Sequence, residues 1–305
     1  MNHEGQERAP AAQSHLSASG AHASGLAPFA SMDAMPSERQ ARSRRPGERQ
    51  ALSRMTALIT GATSGIGAAC ARRFASHGAR LVLVGRRAHR LEALAEELGK
   101  ITPIHTIELD IRDRRAVQHE FTELPAEFAG LDVLVNNAGV ARGLEPAQRA
   151  DLDDWVTTVE TNVMGLLYWT HAVLPGMVAR NKGHIINVGS VAGSYPYPGG
   201  HVYCGTKAFV HQFSLAMRSD LLGTKVHVTC IEPGKVQSEF AHVRFKDNPA
   251  RAAAVYADTE PLTPGDIAEV IHWCVTRPTH VNINNIELMP ADQAFNPLAV
   301  VRRGI

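Results

Sequence analysis

Ala57-Leu58-Ile59-Thr60-Gly61-Ala62-Thr63-Ser64-Gly65-Ile66-Gly67-Ala68-Ala69-Cys70-Ala71-Arg72-Arg73-Phe74 is the stretch from which the fold follows. A short apolar run leads into a turn with three glycines, and the turn leads into a helical segment. Strand, glycine turn and helix in that order open a βαβ unit and form the setting of a dinucleotide site. Glycine adopts backbone conformations closed to other residues and lets a pyrophosphate approach the chain. The following helix offers free N–H groups and the positive end of its dipole to phosphate. Gly61, Gly65 and Gly67 are spaced three residues then one, not one then two. The candidate cofactor-binding loop is Gly61, Ala62, Thr63, Ser64, Gly65, Ile66 and Gly67. A purely structural glycine turn is the alternative.

Outward from this turn, the apolar run Arg80-Leu81-Val82-Leu83-Val84 ends in Gly85-Arg86-Arg87. Gly85 lies eighteen residues beyond Gly67, near where an acidic residue binds the ribose hydroxyls of NAD. Two guanidiniums stand there instead, and their charge and fork geometry suit a 2′-phosphate. Arg86 and Arg87 therefore point to NADP(H) over NAD(H), unless they are solvated charges at a helix start.

Much later in the chain, Tyr203-Cys204-Gly205-Thr206-Lys207 sets a phenol and an ammonium four residues apart, with Ser190 thirteen residues before the phenol. Residues four apart share one face of a helix. A phenol titrates near ~10 when unperturbed, and a fixed cation beside it favours the phenolate. The pair is thus a candidate proton donor and acceptor nearer neutral pH. Ser190 follows the run His184-Ile185-Ile186-Asn187-Val188. It would sit at a strand's carboxyl end, where open α/β sheets bind ligands. An amphipathic helix with a surface lysine is the plain alternative.

Between these landmarks, Leu91, Leu94, Ala95 and Leu98 share a helical face. Residues 104–109, 131–135 and 226–231 read as strands. Residues 151–179 read as one long helical region that Pro175 bends or breaks. Alternating strands and helices predict a parallel, doubly wound α/β sheet.

Thr60-Gly61-x-x-x-Gly65-x-Gly67, Asp110, Asn136-Asn137-Ala138-Gly139, Asn162, Ser190, Tyr203-x-x-x-Lys207 and Pro233-Gly234 together resemble the short-chain dehydrogenase/reductase family over residues 55 to about 290. The resemblance implies a single Rossmann-type sheet of about seven strands with helices on both faces. It implies reversible hydride transfer between NADP(H) and a CH–OH group. Tyr203 is then the proton donor and acceptor. Lys207 lowers its pKa and binds the nicotinamide ribose, Ser190 orients the substrate oxygen, and Asn162 holds a water linking Lys207 to solvent. Asp110 and Ile111 lie beside the adenine. Asn137 touches the cofactor while Asn136 braces the sheet. Pro233, Gly234 and Val236 begin a lid over the nicotinamide that runs to Ala241. A helix-capping Asp110 and an outward-pointing Asn162 remain the structural alternatives.

Trp155, Val173-Leu174-Pro175-Gly176-Met177-Val178, Lys207-Ala208-Phe209-Val210 and His280-Val281-Asn282-Ile283-Asn284 are similar to the bacterial NADP-dependent 3-hydroxy acid dehydrogenases. The similarity implies a small 3-hydroxy acid substrate of the serine, allo-threonine or 3-hydroxypropionate type. The chain is one residue shorter than those enzymes between Val236 and Glu239. A substrate carboxylate wants a cation, and Arg244 is the first candidate clamp, Arg142 the second; each is otherwise a solvated surface arginine. The loop Gly193-Ser194-Tyr195-Pro196-Tyr197-Pro198-Gly199-Gly200 borders the substrate or is only a packed turn. One rival is a reductase of a ketone, sugar or acyl thioester on the same fold. Another is a cofactor-sensing member without activity, although Ser190, Tyr203 and Lys207 are all intact. The family also implies a homotetramer, formed through helix faces and the C-terminal region.

The chain has 305 residues, 44% of them apolar and 20% charged, enough for one α/β domain of about 250 residues and an extension. Residues 1–54 carry seven arginines, no lysine and five acids, a net of +2 that leaves −1 for the remainder. Their low apolar content predicts disorder. A transit-like segment or an artefact of start-site choice is also open, with residues 55–305 as the dehydrogenase domain. Near-neutral charge argues against nucleic acid as partner. No run approaches the length of a membrane span. Four cysteines without metal spacing fit a reduced cytoplasm, and no His motif for a metal is present.

Overall fold

The computed structural model describes residues 52, 53, 55–246 and 248–295. Its centre is a sheet of seven strands: β1 (Thr56–Thr60), β2 (Arg80–Gly85), β3 (Ile104–Glu108), β4 (Val133–Asn136), β5 (Gly183–Val188), β6 (Val226–Pro233) and β7 (Asn285–Leu288). Their order is β3-β2-β1-β4-β5-β6-β7 and every pairing is parallel. Strands β1, β4 and β5 are buried along their whole length. A parallel strand covered on both faces has no solvent side, which is why these segments read as unbroken apolar runs.

The covering helices are α1 (Gly65–Ala75), α2 (Ala88–Gly99), α3 (Arg114–Thr122), α4 (Leu152–Val159), α5 (Gly165–Ala179), α6 (His201–Asp220), α7 (Phe240–Arg244), α8 (Pro249–Ala254) and α9 (Pro264–Val275). Alternate strand residues point to opposite faces. Ile59, Leu83, Val135, Ile186 and Ile231 pack with Phe74 of α1, Leu91 of α2 and Ile271 of α9. Leu58, Val82, Leu134, Ile185 and Val228 pack with Val117 of α3, Trp169 of α5 and Met217 of α6. Phe74 and Trp169 are fully buried, and truncating either to alanine costs about 3–5 kcal/mol.

The chain winds outward from β1 to β3 and then returns to lay β4 on the other flank of β1. The crevice at the carboxyl ends of β1 and β4 is thus the topological switch point, where such sheets bind ligands.

One expectation changes. The helical region over 151–179 breaks at a π-turn, Glu160–Met164, and Pro175 lies inside α5. The hydroxyls of Thr158 and Thr161 bond back to the carbonyls of Asp154 and Thr157 at 2.7 and 2.8 Å, which loosens the ladder. Pro175 and His171 are both exposed, so water can serve the carbonyl that the proline leaves without a partner. The expected tail, 1–54, lies outside the described residues except for Leu52 and Ser53. Leu52 is fully buried in the core, so the packed body reaches back past Met55.

Candidate active site

β1 delivers the chain into the glycine turn, which opens a cleft of about 470 Å³. Gly61 has φ +67° and Gly65 φ +53°, values that strain any residue with a Cβ. Gly61, Thr63, Ser64, Gly65 and Ile66 line the cleft. Ala62 and Gly67 do not. Ala62 is fully buried and its N–H goes to the Val84 carbonyl at 3.0 Å. A Cβ on Gly67 would overlap the Gly61 carbonyl oxygen and stand 2.6 Å from Asn137 Nδ2. These two residues shape the turn from beneath. Asn137 lines the cleft, yet its amide is spent on the turn, donating to the Thr60 carbonyl at 2.9 Å and the Gly61 carbonyl at 3.3 Å. Asn136 ties β4 to β5 and α5 through Asn187 and Thr170, both at 2.9 Å. Ser64 stands at the N-cap of α1 but makes no side-chain cap bond, because its hydroxyl accepts from Arg87 at 2.8 Å. The first-turn N–H groups are left for an anion.

Arg86 and Arg87 both line the same cleft. Arg86 is 55% exposed and reaches Asp110 only at 3.7 Å. Arg87 donates to Thr63 Oγ1 at 3.1 and 2.8 Å, to Ser64 Oγ at 2.8 Å and to Glu239 at 2.8 Å. Asp110 is held below the usual carboxylate range, chiefly by its hydrogen bond from Arg112, with burial opposing. Asp113, not Asp110, caps α3. Ile111 lines the cleft and fills the space in front of Gly165. A glycine turn with free amides and two cationic forks beyond β2 fits a phosphorylated dinucleotide.

At the other end of the cleft, Ser190 follows β5 and Tyr203 and Lys207 share one face of α6. All three line the cleft. The Ser190 hydroxyl accepts from Ala192 N at 3.1 Å and donates to the Pro233 carbonyl at 3.4 Å. Lys207 is buried, with Nζ donating to the Val188 carbonyl at 2.7 Å and lying 5.8 Å from the Tyr203 ring centroid. Asn162, 2% exposed, clamps Val140 through N and O at 2.8 Å each and donates to Thr206 Oγ1 at 3.0 Å. It therefore points inward, and the π-turn is what aims it there. A Cβ on Gly139 would crowd Asn162 Oδ1 at 3.3 Å and touch Lys207 Nζ at 3.6 Å.

One electrostatic expectation is not met. Burial pushes the Tyr203 phenol up, Tyr197 adds to the rise, and only Ser190 and Arg244 pull it down. Burial also draws the Lys207 ammonium down, to about 8. The pair sits in one desolvated pocket, and desolvation outweighs the attraction.

Pro233, Gly234 and Val236 line the cleft after β6. Val236 bridges to Leu262 and its carbonyl accepts from Tyr256 at 3.0 Å. Helix α7 then lies across the mouth. Gly143 and Arg244 exchange hydrogen bonds, N to O at 3.0 Å and Nε to O at 3.1 Å, and Arg142 donates to the Val243 carbonyl at 3.3 Å. The Arg244 guanidinium stands 5.2 Å from the Tyr197 ring centroid and 5.9 Å from that of Tyr203. Phe240 meets Tyr203 at 5.7 Å between centroids. Arg244 is thus brought to the phenol, whereas Arg142 lines the cleft and braces α7.

The short chain dehydrogenase profile matches residues 55–249. The chain belongs to the short-chain dehydrogenase family. It is 54% identical over 249 residues to the NADP-dependent 3-hydroxy acid dehydrogenase of Salmonella typhi, covering 81% of this chain and 100% of that protein. It is 51% identical to sulfoacetaldehyde reductase 2 of Chromohalobacter salexigens, covering 80% and 98%. Among solved structures it is similar to the closed form of a serine dehydrogenase complexed with NADP+, with 52% identity, a TM-score of 0.77, and 82% and 100% of the two chains covered.

Sequence reasoning missed several residues in and around this short-chain dehydrogenase's cleft. Tyr197 entered only as part of a loop, and its stacking partner is 47 residues away. Glu239 and Arg90 are single charges 149 residues apart, and no local pattern joins them. Among the described residues, His211, Cys230 and Glu232 also come within 4.8 Å of one another. The Glu232 carboxylate is already bonded by His211 at 2.7 Å and Asn285 at 2.6 Å.

Proposed function

We propose that this chain is an NADP-dependent dehydrogenase interconverting a small 3-hydroxy acid and the corresponding 3-oxo acid. The observation that carries the proposal is a guanidinium, Arg244, 5.9 Å from the ring centroid of Tyr203, the phenol that lines the cleft opened by the glycine turn. Relatives of about half identity are named for acid-bearing substrates.

When bound, NADP(H) supplies or takes up the hydride. Gly61, Thr63, Ser64, Gly65 and Ile66 would hold the pyrophosphate, Arg86 and Arg87 the 2′-phosphate, and Asp110 and Ile111 the adenine end. Ser190 donates a hydrogen bond to the substrate oxygen, keeping its own proton, and fixes the direction of that oxygen. Tyr203 gives its proton to that oxygen during reduction and recovers it during oxidation. Its raised pKa keeps it protonated at neutral pH, the form that reduction needs. Lys207, anchored on the Val188 carbonyl, is the ammonium beside it, and Asn162 would hold a water that links Lys207 to solvent and so renews the proton. Arg244 takes the substrate carboxylate. Proton transfer of this kind is worth ~10²–10⁴-fold.

A second acceptor deserves testing beside the first. A sulfonate carries the charge of a carboxylate, and one relative is a sulfoacetaldehyde reductase. The test is an NADP+-linked panel of serine, allo-threonine, 3-hydroxypropionate, 2-hydroxyethanesulfonate and neutral alcohols, repeated with NAD+. Hydroxy acids should exceed neutral alcohols by at least about tenfold in kcat/KM. Preference for the sulfonate selects the second reading, and turnover of neutral alcohols alone removes both.

We further assign the protein to the cytoplasm as a homotetramer. All four cysteines are free and buried, which fits a reducing compartment. No helix among the described residues is long and apolar enough to cross a membrane. Leu152, Val156 and Val159 form an exposed apolar stripe on α4, and Phe209 is exposed on α6. Sedimentation of the intact chain reads the assembly.

A further inference from the structure

Glu239 stands at the adenosine end of the cleft, between β6 and α7. Each carboxylate oxygen takes one guanidinium: Oε2 accepts from Arg87 at 2.8 Å and Oε1 from Arg90 at 2.6 Å. The other donors of Arg87 go to the hydroxyls of Thr63 and Ser64. Arg87 is therefore seated on the phosphate-binding turn with its remaining side closed by an anion. The hydrogen bond from Arg87, opposed by burial and joined by that from Arg90, holds the Glu239 carboxyl at about 2. Glu239 is ionised throughout the neutral range.

The lid is anchored on both sides of this residue without its charge. A Cβ on Gly65 would meet Ser238 at 3.4 Å, so Ser238 rests on the glycine turn. Phe240 rests on the Tyr203 ring. The carboxylate meets the same guanidinium that a 2′-phosphate would seek.

We propose that Glu239 is a built-in competitor for the 2′-phosphate of the cofactor, and so a residue that limits the preference for NADP(H) over NAD(H). This rests on the NADP(H) reading of Arg86 and Arg87. A phosphate at this point must draw Arg87 away from Glu239, whereas a cofactor with a free 2′-hydroxyl leaves the pair intact. Arg90 retains Oε1 throughout, so the exchange need not release the lid. The carboxylate weakens NADP(H) binding and leaves NAD(H) binding nearly unchanged. If Glu239 instead aimed Arg87 at the phosphate, its loss would weaken NADP(H).

Opposite signs make the test decisive. Glu239→Gln in the full chain keeps the shape and removes the charge, and Glu239→Ser, expected to act in the same direction, guards against a misfolded glutamine variant. Calorimetry reads Kd for NADP+, NAD+, adenosine 2′,5′-bisphosphate and adenosine 5′-monophosphate. The variants should tighten NADP+ and the bisphosphate about three- to fivefold, equal to ~0.7–1 kcal/mol, the worth of one partly exposed ion pair. NAD+ and the monophosphate should change by less than about twofold, and the difference should shrink as salt screens the charges. Unchanged or weaker NADP+ binding, or equal changes for both cofactors, overturns the competitor alone. A parent chain that binds NAD+ as tightly as NADP+ removes the cofactor reading and this proposal with it.

Discussion

Replacing Arg244, the proposed clamp, by alanine should separate substrate recognition from proton transfer. The guanidinium is fixed by Nε on the Gly143 carbonyl at 3.1 Å and lies over Tyr197 and Tyr203 at 5.2 and 5.9 Å. It is half-buried, so water screens part of its field. A hydrogen bond to a charged group contributes about 1.5–3 kcal/mol, and partial exposure selects the low end, ~1.4–2 kcal/mol. That converts to a loss of about ten- to thirtyfold in kcat/KM for an acid substrate. A clamp that binds ground state and transition state alike shows its loss in KM. The same cation also lowers the Tyr203 phenol, so its removal raises that pKa further for every substrate. Steady-state NADP+ reduction with 3-hydroxypropionate and with 1,3-propanediol, two three-carbon alcohols, divides the effects. KM for the acid should rise by that factor while the neutral diol changes less than about threefold. An equal loss on both would refute the clamp and leave Arg244 as a packing or pKa-tuning residue.

Other consequences follow from burial and backbone geometry. Burial raises the Tyr203 phenol, so oxidation, which needs its conjugate base, should climb with pH by up to about tenfold per unit while reduction stays flat to neutral pH. The rise should bend as Lys207, drawn down to about 8, discharges; an oxidation rate level from pH 6 to 9 contradicts this. Burial also lowers His184 to about 3 and His272 to about 4. Unfolded, both take up protons near their ordinary 6.5, so stability is complete above that pH and is lost as pH falls toward 4. Calorimetric Tm should drop from pH 7.5 to 5, because each histidine removes up to about 1.4 kcal/mol of stability per pH unit below its ordinary value, and a Tm that holds or rises counts against it. Gly67→Ala should lower Tm by roughly 3–10 °C through overpacking against the Gly61 carbonyl and weaken NADP+ binding; an unchanged Tm would show that the turn can yield.

Strand positions were legible because a doubly covered parallel sheet forces continuous apolar runs such as Leu81–Val84. The glycine turn and the Tyr203–Lys207 pair were legible because their chemistry depends on short-range spacing. The helix break was not. Pro175 is a local signal, but its cost falls where water reaches the freed carbonyl. The π-turn aims Asn162 at Val140 and Thr206, tertiary partners that no local pattern announces. Spacing set Lys207 beside the phenol, yet it carried no measure of burial, so the direction of the Tyr203 shift was misjudged. Ala62 and Gly67 belong to the motif as packing, a distinction that appears only when the Val84 and Gly61 carbonyls are in place. Glu239 and Arg90 meet through the lid's path across the cleft, which no run of residues encodes.

Tyr203→Phe removes one hydroxyl and keeps the ring that Phe240 and Arg244 pack against. NADPH formation from a 3-hydroxy acid should fall by at least ~10²-fold, with calorimetric NADP+ affinity within about twofold of the parent. A variant that turns over at nearly the parent rate would show that another group carries the proton.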